Sequence, residues 1–178
     1  RVKIIKIYPF SFAEYLFFTQ KKSIPTLSLD NLIERKWTSD HMLSGEFFRD
    51  YISGGLMPFS VDEPKPLPLL ENILDKVIQR DIPRCAKITL DEIEIIRKVL
   101  SFIGKSPVEG ICPSSISSNL KITKYKASSY IELLEKCFIL NTVGPKGTNV
   151  LKENKVLMSL PYRLLYKSYE DSIGALRE

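Results

Sequence analysis

The chain has 178 residues, 44% hydrophobic and 26% charged, a balance that suits a folded globular protein and excludes a disordered one. Its apolar runs, such as Phe17-Phe18 and Ile95-Ile96, fall far short of the ~20 residues of a membrane-spanning helix, so it reads as soluble and cytoplasmic. A formal charge of +5 permits an anionic partner without requiring one, while three scattered cysteines and a single histidine, His41, exclude a disulfide framework and a metal-ligand cluster.

The chain opens on Arg1-Val2-Lys3-Ile4-Ile5-Lys6-Ile7, whose branched apolar residues predict a strand without a nearby partner strand. A first helix is predicted from Ser11-Phe12-Ala13-Glu14, where the serine hydroxyl and the glutamate can each satisfy the other's backbone amide. A second runs from about Asp40 to Ser53, with Leu43, Phe47, Phe48, Tyr51 and Ile52 inward and Gly54-Gly55 as its stop; the stretch between them fits no single element. His41, near the start of that helix, reads as solvated. Four prolines between Pro58 and Pro68 then mark a linker or surface loop.

Leu69, Leu70, Ile73, Leu74, Val77, Ile78 and Ile82 form the stripe of a third helix, from about Pro68 to Pro83. Thr89-Leu90-Asp91-Glu92 is a second capping box, and the helix it opens carries Ile93, Ile96, Val99, Leu100 and Ile103 to a stop at Gly104. A short helix over 113–120, a tight turn at Lys121-Ile122 and a longer helix over 123–137 follow, the last with Ala127, Tyr130, Ile131, Leu134 and Phe138 inward. The period then changes: Phe138–Val143, a turn-rich loop over 144–149 and Lys155–Ser159 read as a β-hairpin. The fold class is therefore mainly α, a helical segment followed by a winged helix-turn-helix with a small β-hairpin.

Gly104-Lys105-Ser106 imitates the end of a phosphate-binding loop, but the first glycine of that motif would fall at Val99 and no strand leads into it. With no nucleophile–base pair, metal cluster or phosphate loop, the chain by itself is expected to catalyse nothing. On the longer helix the outward positions are Tyr125, Ser129, Glu132 and Lys136, flanked by Lys126 and Ser128. Lys124, Tyr125, Lys126 and Ser129, with Lys146 at the tip of the hairpin, are the candidate contacts to double-stranded DNA. Seven lysines between Lys121 and Lys155 against Glu132, Glu135 and Glu153 give this region a basic excess. Contact with DNA and a role as a protein–protein scaffold both stay open.

Several blocks resemble, in order, one family. Tyr8-Pro9-Phe10-Ser11-Phe12-Ala13-Glu14-Tyr15 resembles the PLSFxEF passage that follows the nucleotide-binding core of a group of prokaryotic AAA-superfamily ATPases. Tyr51-Ile52-Ser53-Gly54-Gly55-Leu56-Met57-Pro58 is similar to that group's YxxxGGxP motif, with one residue inserted, and Val77–Ile82 to its following Asp-Ile passage. Leu120–Thr123, Tyr130–Glu135 and Phe138–Leu140 resemble its winged-helix signature, and Ile173–Glu178 the GALxE opening of a nuclease-like domain.

The resemblance implies a middle fragment of such an ATPase. ATP and Mg would belong to the part before Arg1, and a further domain would follow Glu178. The implied organisation is the end of the ATPase core and a lid-like segment over 1–66, a connecting helix over 67–88, a winged helix over 89–160, and the start of a C-terminal domain over 161–178. The partners would be the missing ATPase core and C-terminal domain of the same chain, and because lids of this family turn charged side chains toward the phosphates, Arg1, Arg80 and Asp81 become the nucleotide-proximal candidates.

Overall fold

The structure, a computed structural model, describes residues 3, 5, 7–107, 109, 111–147 and 152–173. It is mainly helical with a two-stranded antiparallel sheet, and divides between Leu69 and Leu70 into two compact units. Arg1 and the segment 174–178 lie outside the described residues, and of the expected first strand Lys3, Ile5 and Ile7 are described and stand outside any strand.

In the first unit, α1 (Phe12–Gln20) starts as the sequence requires. The Ser11 amide donates to the Glu14 carboxylate at 2.8 Å and the Glu14 amide to the Ser11 hydroxyl at 3.3 Å. After α2 (Leu29–Ile33) and α3 (Ser39–Leu43) the chain winds through a 3-10 turn at Ser44–Phe47, α4 (Phe48–Asp50) and a π turn at Tyr51–Gly55. Each change of winding shifts the angular position of the next side chain. The stripe predicted for a regular helix therefore breaks, and Leu43, expected inward, is 53% exposed. His41 is partly exposed, and its ring also has protein partners. Its Nδ1 accepts from the Thr38 amide at 3.1 Å and its Nε2 lies 2.9 Å from the Pro25 carbonyl, so the ring ties the start of α3 to the preceding loop.

The two glycines of this unit do different things. Gly54, at φ 154°, takes a backbone conformation that a side chain disfavours. Gly55 is required by proximity, because a Cβ there would stand 2.4 Å from the Tyr15 ring. Phe12, Tyr15, Phe48 and Tyr51 form an aromatic cluster with centroids 5.2–6.3 Å apart, and the Tyr51 hydroxyl donates to the Phe10 carbonyl at 2.7 Å.

The second unit begins within α5 (Pro66–Lys76), which continues through a π turn at Val77–Asp81 into α6 (Ile82–Cys85). Pro83, predicted to end this helix, is accommodated in it: its ring would crowd the carbonyl four residues earlier in a regular helix, and the wider turn just before it opens that space. Next, α7 (Leu90–Lys105) carries the buried stripe Ile96, Val99, Leu100 and Ile103. Its predicted stop was Gly104, yet the helix runs through Gly104 to Lys105. That glycine is needed for close packing, since a Cβ would meet the Tyr166 ring at 2.5 Å.

The remaining elements are α8 (Pro113–Leu120), α9 (Lys124–Lys136), β1 (Leu140–Val143), β2 (Lys155–Met158), a 3-10 turn at Tyr162–Leu165 and α10 (Tyr169–Ser172). The strands pair Leu140 with Met158 and Thr142 with Val156, and the Val156 amide donates to the Ile111 carbonyl at 2.9 Å, adding a third backbone segment beside β2. Ile96, Ile116, Leu134, Leu140 and Val156 are wholly buried, so α7, α8, α9 and the hairpin share one core.

Candidate nucleic-acid interface

The candidate contacts are placed by two helix ends. α8 closes with Lys121 in the left-handed conformation, φ 52° and ψ 40°, while the Ile122 amide donates to the Ser117 carbonyl at 3.2 Å. This turn delivers Thr123, whose hydroxyl accepts from the Lys126 amide at 3.2 Å and starts α9. At its far end, Phe138 takes φ 59°, with its amide on Glu135 and that of Ile139 on Leu134, both at 3.0 Å. Phe138 was expected inward and in a strand; the left-handed turn carries it out instead, and β1 begins at Leu140.

Between these ends Ala127, Tyr130, Ile131 and Leu134 are buried, which leaves Tyr125 84% exposed and Ser129 half-buried. Lys124 and Lys126 are also exposed, but each is held by a carboxylate. Lys124 pairs with Glu153, just before β2, and Lys126 reaches Glu92 of α7 at 3.2 Å. Lys136 is paired in turn with Glu132 at 2.7 Å. Of the lysines that made this region look basic, these three are locally neutralised. Lys146 is exposed on the loop after β1, with no partner among the described residues.

Glu92 and Glu153 are the organising groups that sequence reasoning did not assign to the site. Thr89's backbone amide, the Tyr130 hydroxyl and the Lys126 ammonium hold the Glu92 carboxyl down to about 2. Glu153 is held down to about 2 by Lys124 first, then by the Ser114 hydroxyl and amide and by Cys112. Because Ser114 lies in the first turn of α8, the Glu153 charge also sits at the favourable end of that helix. The capping box signalled Glu92 in part; nothing local signalled Glu153.

Beside α9 lies a cleft of about 300 Å³, lined by Glu132, Glu135, Glu153, Lys152, Thr142 and neighbouring side chains. All three carboxylates are engaged, Glu135 by the Thr142 amide at 3.0 Å and its hydroxyl at 2.7 Å. Two of them are balanced by Lys124 and Lys136, and Lys152 lines the same cleft, so the side of α9 that faces the hairpin is polar with charges of both signs.

Arg80 and Asp81 end the π turn after α5, both exposed, with no ion pair joining them among the described residues. Another residue that pattern reading missed is Arg163. It is 2% exposed, and its Nη2 donates to the Ser106 carbonyl at 2.8 Å, where it satisfies the C-terminal end of α7. No group of acids, histidines and cysteines that could hold a metal ion occurs among the described residues, and no described helix is long and apolar enough to cross a membrane.

Residues 45–161 match the model of a family described as a domain of unknown function, DUF8612. The chain is similar to an uncharacterized protein of Methanocaldococcus jannaschii, 24% identical over 159 residues that cover 84% of this chain and 34% of the relative. It is also similar to an uncharacterized protein of Haemophilus influenzae, 28% identical over 160 residues, covering 84% of this chain and 36% of the relative. The chain thus spans about a third of the length of these curated relatives. No solved structure matches.

Proposed function

This chain belongs to the DUF8612 family, and we propose that it is a non-catalytic, helical and winged-helix part of a longer AAA-type ATPase of the cytoplasm, acting as an interaction module that joins domains or subunits. The order α7, α8, turn, α9 and hairpin supports a winged helix. One observation carries the choice of a protein partner over DNA. The lysines at the start of α9, where phosphates would sit, already face Glu153 and Glu92. To contact these lysines, a duplex would have to displace the ion pairs with its phosphates.

ATP and Mg belong, on this reading, to the part of the ATPase outside residues 1–178, with Arg80 and Asp81 as the described charged groups turned toward the nucleotide. Nucleotide state would pass from the helical segment to the winged helix.

A second reading, contact with double-stranded DNA, is favoured by Tyr125, exposed on α9, and by the unpaired Lys146. Fluorescence anisotropy of a labelled duplex, titrated with the chain at several salt concentrations, separates the two. The interaction reading expects weak binding whose salt dependence is the same for wild type and a Tyr125→Ala/Lys146→Ala variant. Tight binding, with a log–log salt slope made shallower by ~0.9 when Lys146 is removed, would give DNA the lead.

A further inference from the structure

An open groove of about 540 Å³ runs between the second half of α7 and the end of α8. Phe102, Pro107 and Leu120 give it an apolar floor, and Lys98 and Lys105 stand at its rim. These two lysines lie two helical turns apart, so they share one side of α7 at about 10 Å along its axis. Both are exposed, and neither has a carboxylate or hydrogen-bond partner among the described residues. In this they differ from Arg97 beside them, tied to Asp75 at 2.7 Å, and from Lys124, Lys126 and Lys136, all paired with glutamates. No acidic side chain lines the groove among the described residues.

We propose that this groove binds an acidic, amphipathic segment of a partner protein. Two of its carboxylates would meet Lys98 and Lys105, and an apolar side chain between them would cover Phe102 and Leu120. The spacing suits a helical segment with acids seven residues apart, or an extended one with acids about three apart. Unpaired cations flanking an uncharged apolar floor are complementary to that chemistry. Nucleic acid could satisfy the lysines but would leave the floor uncovered. The inference stands on α7 and α8, and failure of the reading given to α9 leaves it intact.

The test uses the whole chain and a short fluorescein-labelled helical peptide of Glu, Leu, Phe and Ala with that seven-residue acid spacing. Binding should be saturable and weaken with salt. A Lys98→Glu/Lys105→Glu variant, altered at exposed positions and folded by circular dichroism, should bind about tenfold more weakly or worse at low salt. Replacing the peptide's Leu and Phe with Ser should likewise weaken binding about tenfold. The proposal is overturned by an absence of saturable binding, by equal affinity for the Ser peptide, by an unchanged affinity of the charge-reversed variant, or by complete displacement of the peptide by duplex DNA.

Discussion

The Tyr130 hydroxyl of α9 donates to Glu92 of α7 at 2.9 Å, and that same carboxylate closes the capping box on Thr89. A local helix-start signal thereby also fastens two helices that lie 38 residues apart in sequence at this bond. Tyr130→Phe keeps the ring in the core and removes the donor, so it should lower unfolding free energy by about 1 kcal/mol in urea titrations. The bond also raises the phenol, with burial as the larger cause, to about 12. An acid whose pKa rises on folding contributes stability below its unfolded value near 10 and loses it as pH climbs toward about 12. The deficit of the Phe variant should therefore shrink over that range; an unchanged deficit would mean that the phenol does not hold Glu92.

Gly104→Ala should destabilise, although alanine is ordinarily the better helix residue by about 1 kcal/mol. The added Cβ would lie 2.5 Å from Cγ and 2.8 Å from Cβ of Tyr166, atoms near the root of that side chain that cannot swing away freely. Overpacking of this kind costs roughly 1–3 kcal/mol, and a second change, Tyr166→Ala, should remove most of the Gly104→Ala increment. Additive losses in the double variant would place the strain elsewhere.

What was legible in the sequence was what depends on neighbours in the chain. Ser11 with Glu14 and Thr89 with Glu92 announced two helix starts because each box closes within one turn. The stripe of α7 and, apart from Phe138, that of α9 followed from spacing, and the hairpin from the change of period around a turn-rich loop. Gly104 was misread because a helix stop and a close approach call for the same residue, and only the position of Tyr166 tells them apart. The site was less legible still. Lys124 and Lys126 read as free cations since their partners, Glu153 and Glu92, lie 29 and 34 residues away in the chain, and pairing at that distance is a property of the packed core.

Lys121 occupies the left-handed region at the end of α8 without being a glycine. That conformation costs a side-chain-bearing residue about 1 kcal/mol, and Lys121 is exposed, with little packing to lose. Lys121→Gly should therefore raise the urea midpoint, by up to ~1 kcal/mol in free energy. Leu134→Ala, at a fully buried position of α9, should lower the unfolding free energy by roughly 2–5 kcal/mol. A neutral Leu134→Ala would contradict the orientation of the helix.

Acid should loosen the second unit through Glu153 and Glu92. Both carboxyls lie at about 2 in the folded chain, Glu153 chiefly because Lys124 and Ser114 donate to it, against an ordinary value of 4.5. A carboxyl depressed on folding stabilises fully above its unfolded value, and that contribution is lost as pH falls through the window down to about 2. Glu153→Gln should be less stable than wild type near neutral pH, and the two should converge as pH drops below about 4. Lys124→Ala should act on the same group from the other side. Followed by carboxyl NMR, the Glu153 titration should move upward toward the ordinary value in that variant, while Glu92, held by Thr89, Tyr130 and Lys126, should stay in place. If Glu153 titrates identically with and without Lys124, the ion pair does not persist in solution, Lys124 is available to phosphates, and the balance between protein and DNA partners shifts toward DNA.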